Sequence, residues 1–291
     1  MTYQARRERD AILFLLPYAA SFVAFVVLPV IVSLTLSFMQ FDLTNRQAIQ
    51  FIGFRNYSEA FGDSYFWQAM KATFSYVILM VPALVVFSLA FALGMNGMVK
   101  GRATVRAILF LPGMFNVAVS AILWHWFYDG EFGLFNYLLK KVGGPHVPWL
   151  DDRSFAMPSI VLMSLWWVLG GTSVILLAAL QQIPKPYFEA AMLDGAGVRA
   201  LFSRITLPLL RPVLLFVVVT NTIAGFQVFG QPFLLTSGGP ELTTRGLVQY
   251  IYETAFNNYR MGYGAAMSWL LFALIAVFAL IQYQFLRRST A

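Results

Sequence analysis

The sequence predicts an all-α integral membrane protein with six transmembrane helices, and three observations carry that expectation. Of its 291 residues, 59% are hydrophobic and only 11% are charged, whereas an ordinary soluble domain carries roughly a quarter charged residues. Apolar runs of about 20 residues, the length that crosses a bilayer, recur along the chain. Lysine and arginine fall unevenly on the two sides that such a reading defines.

Taken in order, the chain begins with Arg6, Arg7 and Arg9 and then runs apolar from 11 to 38. That is longer than the roughly 7 to 15 residues of a signal-peptide core, so it reads as a retained first helix behind a cytoplasmic tail of residues 1–10. The second span is expected at 72–95 and the third at 105–128, where Trp124, His125 and Trp126 suit an aromatic belt at the outer end. A fourth follows at 157–180, a fifth at 212–235 and a sixth at 264–286, so that residues 11–291 read as one six-helix domain. Pro82, Pro112 and Pro232 are candidates for kinks in their helices.

Orientation follows from charge. The N-terminal tail, the 2–3 loop, the 4–5 loop and the C-terminus together hold twelve of the 20 Lys and Arg, and the opposite loops hold seven over longer segments. Short loops rich in these residues stay inside, so both termini are predicted to be cytoplasmic, in the inner membrane of a bacterium or archaeon.

Several classes of function are excluded or disfavoured. A net charge of +7 could suggest nucleic acid, but its distribution fits membrane orientation better, and no nucleic-acid partner is expected. No cysteine is present, and His125 and His146 stand 21 positions apart without the spacing of a metal motif, so no metal site is expected. The phosphate-cradling motif Gly-x-x-x-x-Gly-Lys-[Ser/Thr] does not occur. An ion-coupled secondary transporter commonly buries ionisable groups in its spans, and the interiors of these six hold none, although sodium sites built from backbone carbonyls would escape that test.

The 4–5 loop runs for about thirty residues, well beyond the usual helix connection. It reads Ile183-Pro-Lys-Pro-Tyr-Phe-Glu-Ala-Ala-Met-Leu-Asp-Gly195 and ends in Ile205-Thr-Leu-Pro208. Pro186 can open a helix, Glu189 is expected near its positive end, and Gly195 can close it in a left-handed cap. Phe188, Ala191 and Met192 then share one small apolar face. By physics alone an amphipathic helix lying on the membrane surface remains equally open.

The spacing Glu189-Ala190-Ala191, three residues, Gly195, nine residues, Ile205, one residue, Leu207-Pro208 matches the cytoplasmic loop signature of binding-protein-dependent ABC importer permeases. The series Leu235-Thr-Ser-Gly-Gly-Pro240, Thr244, Tyr250-Ile-Tyr252, Ala255-Phe256 and Gly262-Tyr-Gly-Ala-Ala-Met-Ser268 resembles the carbohydrate-uptake branch, specifically its maltose-transporter F type, as do Phe54-Arg-Asn-Tyr57 and Trp149-Leu-Asp151. This chain has no room for the large extracytoplasmic domain of the bigger maltose F-type protein.

The resemblance implies a type I ABC importer permease core, with no catalytic residue and no cofactor of its own, ATP and Mg being bound by a separate ATPase. It implies that Glu189, Ala190, Ala191, Met192, Asp194, Gly195, Ile205, Leu207 and Pro208 form the coupling interface with that ATPase, present in two copies. A second, G-type permease subunit, an extracytoplasmic solute-binding protein and a sugar substrate are implied as further partners. Glycerol-3-phosphate or another polar solute is the alternative cargo. For the substrate path, polar and aromatic groups at membrane depth are the candidates: Asn221, Gln227 and Gln231 in the fifth span, Trp167 and Ser173 in the fourth, and Asn116 in the third. Any of them could instead join helices to one another.

Overall fold

The computed structural model describes the backbone of residues 3–42, 49–98 and 100–288, and side chains between 13 and 284 within those stretches. Arg46, and the side chains of Arg6, Arg7, Arg9, Arg287 and Arg288, lie outside the described residues. The chain forms two compact units, residues 1–63 with 251–272 and residues 64–250 with 273–291.

In the smaller unit α1 (Tyr3–Phe22) passes through a π turn at Val23–Val27 into α2 (Leu28–Ser37). Helix therefore begins at Tyr3, inside the stretch expected as a tail. A two-residue strand, β1 (Met39–Gln40), pairs antiparallel with β2 (Gln50–Phe51), and α3 (Arg55–Gly62) follows. The last carbonyls of a helix have no partner within it. Here buried Asn56 donates to the carbonyls of Ser37 (2.9 Å) and Met39 (3.0 Å), and the Tyr57 hydroxyl meets Ser37 Oγ at 2.7 Å. The Phe54–Tyr57 segment is thus a cap on α2. Arg260 locks α3 to the second part of this unit through two bonds to Glu59, at 2.6 and 2.8 Å.

The larger unit runs through α4 (Ser64–Gly97), α5 (Arg102–Phe110), α6 (Val117–Tyr128), α7 (Leu134–Lys141), α8 (Arg153–Gln181), α9 (Lys185–Leu193), α10 (Val198–Leu201), α11 (Leu207–Phe226) and α12 (Gly230–Thr236). After α13 (Leu247–Tyr252) the chain returns through α14 (Met261–Arg288), whose residues from Ala273 onward belong to this unit. Its core is a seam between α4, α8 and α11. Ala92 and Met95, Leu176, Leu177 and Leu180, and Leu210 and Val217 recur at helical spacing and meet there. Phe74, Phe226 and Phe278 extend the seam as a triangle of rings with centroids 5.2 to 5.6 Å apart. Lipid is as apolar as these side chains, so close packing holds such helices together. Gly170 shows how close: a Cβ there would overlap the carbonyl of Leu109 on α5.

Among the described residues, five helices are long and apolar enough to cross a membrane, at Leu13–Ser37, Ser64–Gly97, Arg153–Gln181, Val198–Phe226 and Met261–Gln284. A sixth crossing requires joining Arg102–Met114 to Val117–Tyr128, which meet at a bend of 101°. Two expected spans are therefore broken. The expected 105–128 helix stops in a tight turn at Leu111–Met114, set by Pro112 and Gly113, and restarts where Asn116 Oδ1 accepts the amide of Ala118 at 2.9 Å. The expected 212–235 helix ends at Phe226 and resumes at Gly230. Pro232 does not kink a helix interior; it occupies the first turn of α12, where its missing N–H costs nothing.

Candidate translocation cavity and coupling loop

Backbone freed from its helix at membrane depth is tolerated only against protein or a water-filled space. Both breaks meet that requirement at one cavity of about 340 Å³ in the larger unit, which takes in Val117 just past the first break and residues 224, 225 and 227–231 across the second. That size lies at the lower end of small-molecule sites, roughly 300 to 1,000 Å³. The same side chain that lines the cavity also steadies the first break: Trp167 Nε1 donates to the carbonyl of Phe115 at 3.0 Å.

Four of the six candidate path residues, Asn221, Gln227, Gln231 and Trp167, line this cavity together. Asn221 Nδ2 donates to the Val217 carbonyl at 2.8 Å, which fixes the amide and leaves its oxygen as an acceptor. Ser173 is fully buried, donates to its own helix at Leu169 (2.7 Å) and is absent from the lining. Asn116 is also absent from it, being the cap of α6. Sequence reasoning missed Tyr76, Met80 and the Phe229–Gly230 turn. Tyr76 could have been noticed as a lone phenol within the otherwise apolar 72–95 run. The lining offers amides, a phenol and an indole, and no ionisable acid or base that is charged at neutral pH.

The C-terminal end of α12 reaches a second cavity, of about 380 Å³, that holds Thr236, Ser237, His125, Asp129 and Asp151. Asp129 Oδ1 accepts the amides of Phe132 (2.7 Å) and Glu131 (2.9 Å), which holds its carboxyl below the usual range. The Ser237–Pro240 turn is fixed by Thr244, whose hydroxyl donates to the Gly239 carbonyl and meets Thr236 Oγ1 at 2.7 Å.

At the opposite end of α8 lies the loop that carries the signature. Pro184 caps α9 and Pro186 sits in its first turn, as the sequence suggests. The helix begins at Lys185, one residue before Pro186, so Glu189 stands one residue deeper than expected and the first turn has no acidic residue. Gly195 closes it at φ +79°, with its amide bonded to Met192 (3.0 Å) and that of Ala196 to Ala191 (2.9 Å). This is the Schellman arrangement, in which a left-handed residue lets the last carbonyls be satisfied. Glu189, Ala190, Met192, Asp194 and Gly195 are exposed and Ala191 is half-buried. Leu193 is 90% exposed and Val198 85%. Ile205, Leu207 and Pro208 are half-buried, Ile205 within a π turn at Phe202–Thr206 and the other two at the start of α11, into which it leads.

Comparison with known proteins gives these features a context. The family described as "Binding-protein-dependent transport system inner membrane component" matches residues 66–290. The chain is similar to the probable ABC transporter permease protein YesP of Bacillus subtilis, 36% identical over 93% of this chain and 88% of that protein. It is similar also to the trehalose/maltose transport system permease protein MalF of Thermococcus litoralis, 34% identical over 95% of this chain and 93% of that one. Two crystal structures of a bacterial ABC importer of the acidic polysaccharide alginate, one in complex with an alginate pentasaccharide-bound periplasmic protein, contain a chain 25% identical to this one. They superpose with TM-scores of 0.88 and 0.86, covering 99% of this chain and 98% of that chain.

Proposed function

Because this chain belongs to the inner membrane components of binding-protein-dependent transport systems, and so is a permease subunit of an ABC importer, we propose that its cargo is an uncharged carbohydrate. The observation that carries the substrate class is the cavity at the broken helices, where Tyr76, Asn221, Gln227 and Gln231 offer neutral donors and acceptors beside the face of Trp167. Sugar hydroxyls exchange water for such partners, and an aromatic face covers the apolar side of a pyranose. A phosphorylated or acidic cargo would require a cation, and the lining supplies none.

In this reading an extracytoplasmic binding protein delivers the sugar to the side on which Asp129, Asp151 and Ser237 lie. A G-type permease completes the pathway, and two copies of an ABC ATPase bind ATP and Mg on the cytoplasmic side, where both termini and α9 are placed. The exposed surface of α9, with Glu189, Ala190, Met192 and Gly195, docks on the ATPase, and Ile205, Leu207 and Pro208 pass its movement to α11. Small residues at 190 and 191 allow a close approach of backbones.

The test is uptake kinetics in cells that express the intact operon, with a panel of neutral oligosaccharides and uronates. Each lost hydrogen bond to sugar is worth about 0.5–1.5 kcal/mol, so Asn221→Ala and Gln227→Ala should each raise KM by about two- to ten-fold at unchanged expression. Unaltered kinetics in both variants, or preferred uptake of a uronate, overturns the assignment.

A further inference from the structure

A third cavity, unrelated to the translocation site, lies against the short helix α7. It measures about 330 Å³ and is almost wholly apolar, walled by Phe135, Leu138, Leu139, Val142, Trp149 and Leu162. Leu162 lies nine residues into α8, about 13 Å along the axis from its charged start at Arg153, and half of a bilayer's hydrocarbon is about 15 Å thick. The groove therefore opens within one leaflet, and its mouth residues Leu138, Val142 and Leu162 are exposed in this chain. Tyr137 on α7 and Trp126 on α6 are exposed, and such amphipathic rings gather at headgroup level.

The helix is tied in place at that depth. Asn136, buried, donates to the Val147 carbonyl (3.0 Å) and accepts the Val147 amide (3.1 Å), which pins α7 to the segment that follows it. Its last turn ends in Lys140 and Lys141, both exposed, with the Lys141 ammonium 4.7 Å from the centre of the Tyr137 ring. On a helix, residues three apart are neighbours, so Lys141 stands next to Leu138 at the rim of the groove.

We propose that this groove is a binding site for an anionic phospholipid, with one acyl chain between α7 and α8 and the phosphate on Lys140 and Lys141. An apolar groove beside a lysine pair at the end of α7 matches the two ends of such a molecule. A lysine near an anionic headgroup contributes about five-fold in affinity, and two together about 25-fold.

The full-length chain, purified in detergent, can be titrated with palmitoyl-oleoyl phosphatidylglycerol or phosphatidylcholine, which differ in headgroup alone, and the bound lipid counted by native mass spectrometry. Wild type should take up the first phosphatidylglycerol about 25-fold more tightly than phosphatidylcholine. Lys140→Gln with Lys141→Gln should bring the ratio near one while both lipids still bind, and Leu138→Asp, at the mouth of the groove, should weaken both. Lys100→Gln with Arg106→Gln removes the same charge at the start of α5, away from the groove lining, and should leave the ratio as it was. The proposal is overturned by a wild-type ratio near one, by a Lys140/Lys141 variant that keeps the wild-type ratio, by an equal fall in the Lys100/Arg106 variant, or by a dimer mass that excludes lipid.

Discussion

Gly195 offers the sharpest test of how the cytoplasmic loop works, because its backbone alone fixes the outcome. At φ +79° it sits where side-chain-bearing residues are strained, yet a Cβ placed on it meets nothing within 4 Å. Within this chain the cost of Gly195→Ala is therefore conformational, about 1–2 kcal/mol for holding an L-residue left-handed. That would reduce the population of the closed α9 cap by about 5- to 30-fold. Asparagine tolerates this region better, so activity should rank Gly, then Asn, then Ala. Gly195→Asp separates charge from shape: its backbone preference resembles that of asparagine, so any further loss reports a carboxylate at the ATPase contact. The assay is ATP hydrolysis by the reconstituted transporter, stimulated by loaded binding protein, alongside the melting temperature, which should stay constant because the cap is exposed and local. Alanine as active as glycine while asparagine is impaired would refute the conformational account. Full transport by Gly195→Asp in a normally assembled complex would refute the interface.

Two further outcomes follow from the larger unit. Gly170→Ala should lower the melting temperature of the detergent-solubilised chain by the equivalent of about 1–3 kcal/mol, since its Cβ would meet the backbone of Leu109. Its neighbour Gly171 faces open space, so Gly171→Ala should be neutral or stabilising by up to about 1 kcal/mol, and equal effects at both positions would contradict the packing. Asp129, whose amide bonds depress its pKa, stabilises its turn above the carboxylate's ordinary pKa and loses that effect as pH falls through the depressed value. Hydrogen exchange at the Glu131 and Phe132 amides should thus be faster in Asp129→Ala at neutral pH and converge with wild type in acid.

The sequence made the membrane character, the number of apolar segments and the α9 cap legible, because each depends on local composition or on one residue with a distinctive backbone preference. It pointed to four of the cavity-lining residues because polar groups are conspicuous in an apolar run. It hid the two helix breaks. Residues 105–128 and 212–235 are apolar enough on average to read as unbroken spans, and hydropathy responds to side chains while the breaks at 111–116 and 227–229 are backbone events. Pro112 drew notice as a kink, but a turn, a cap at Asn116 and a donor from Trp167 combine to make a right-angled bend. Ser173 and Asn116, candidates on the same ground, lie away from this lining. A hydroxyl or amide in a span advertises polarity without showing whether its own backbone will consume it.

The neutrality of the cavity has an electrical consequence. Each elementary charge carried through the membrane field adds about 2.3 kcal/mol per 100 mV to a conformational step, so a binding site with fixed ions would open and close at a rate tied to the cell's voltage. Amides, a phenol and an indole move no such charge. On the proposed function, an uncharged sugar held among these groups carries no charge across the field, so energised and de-energised membranes present that binding site with the same task.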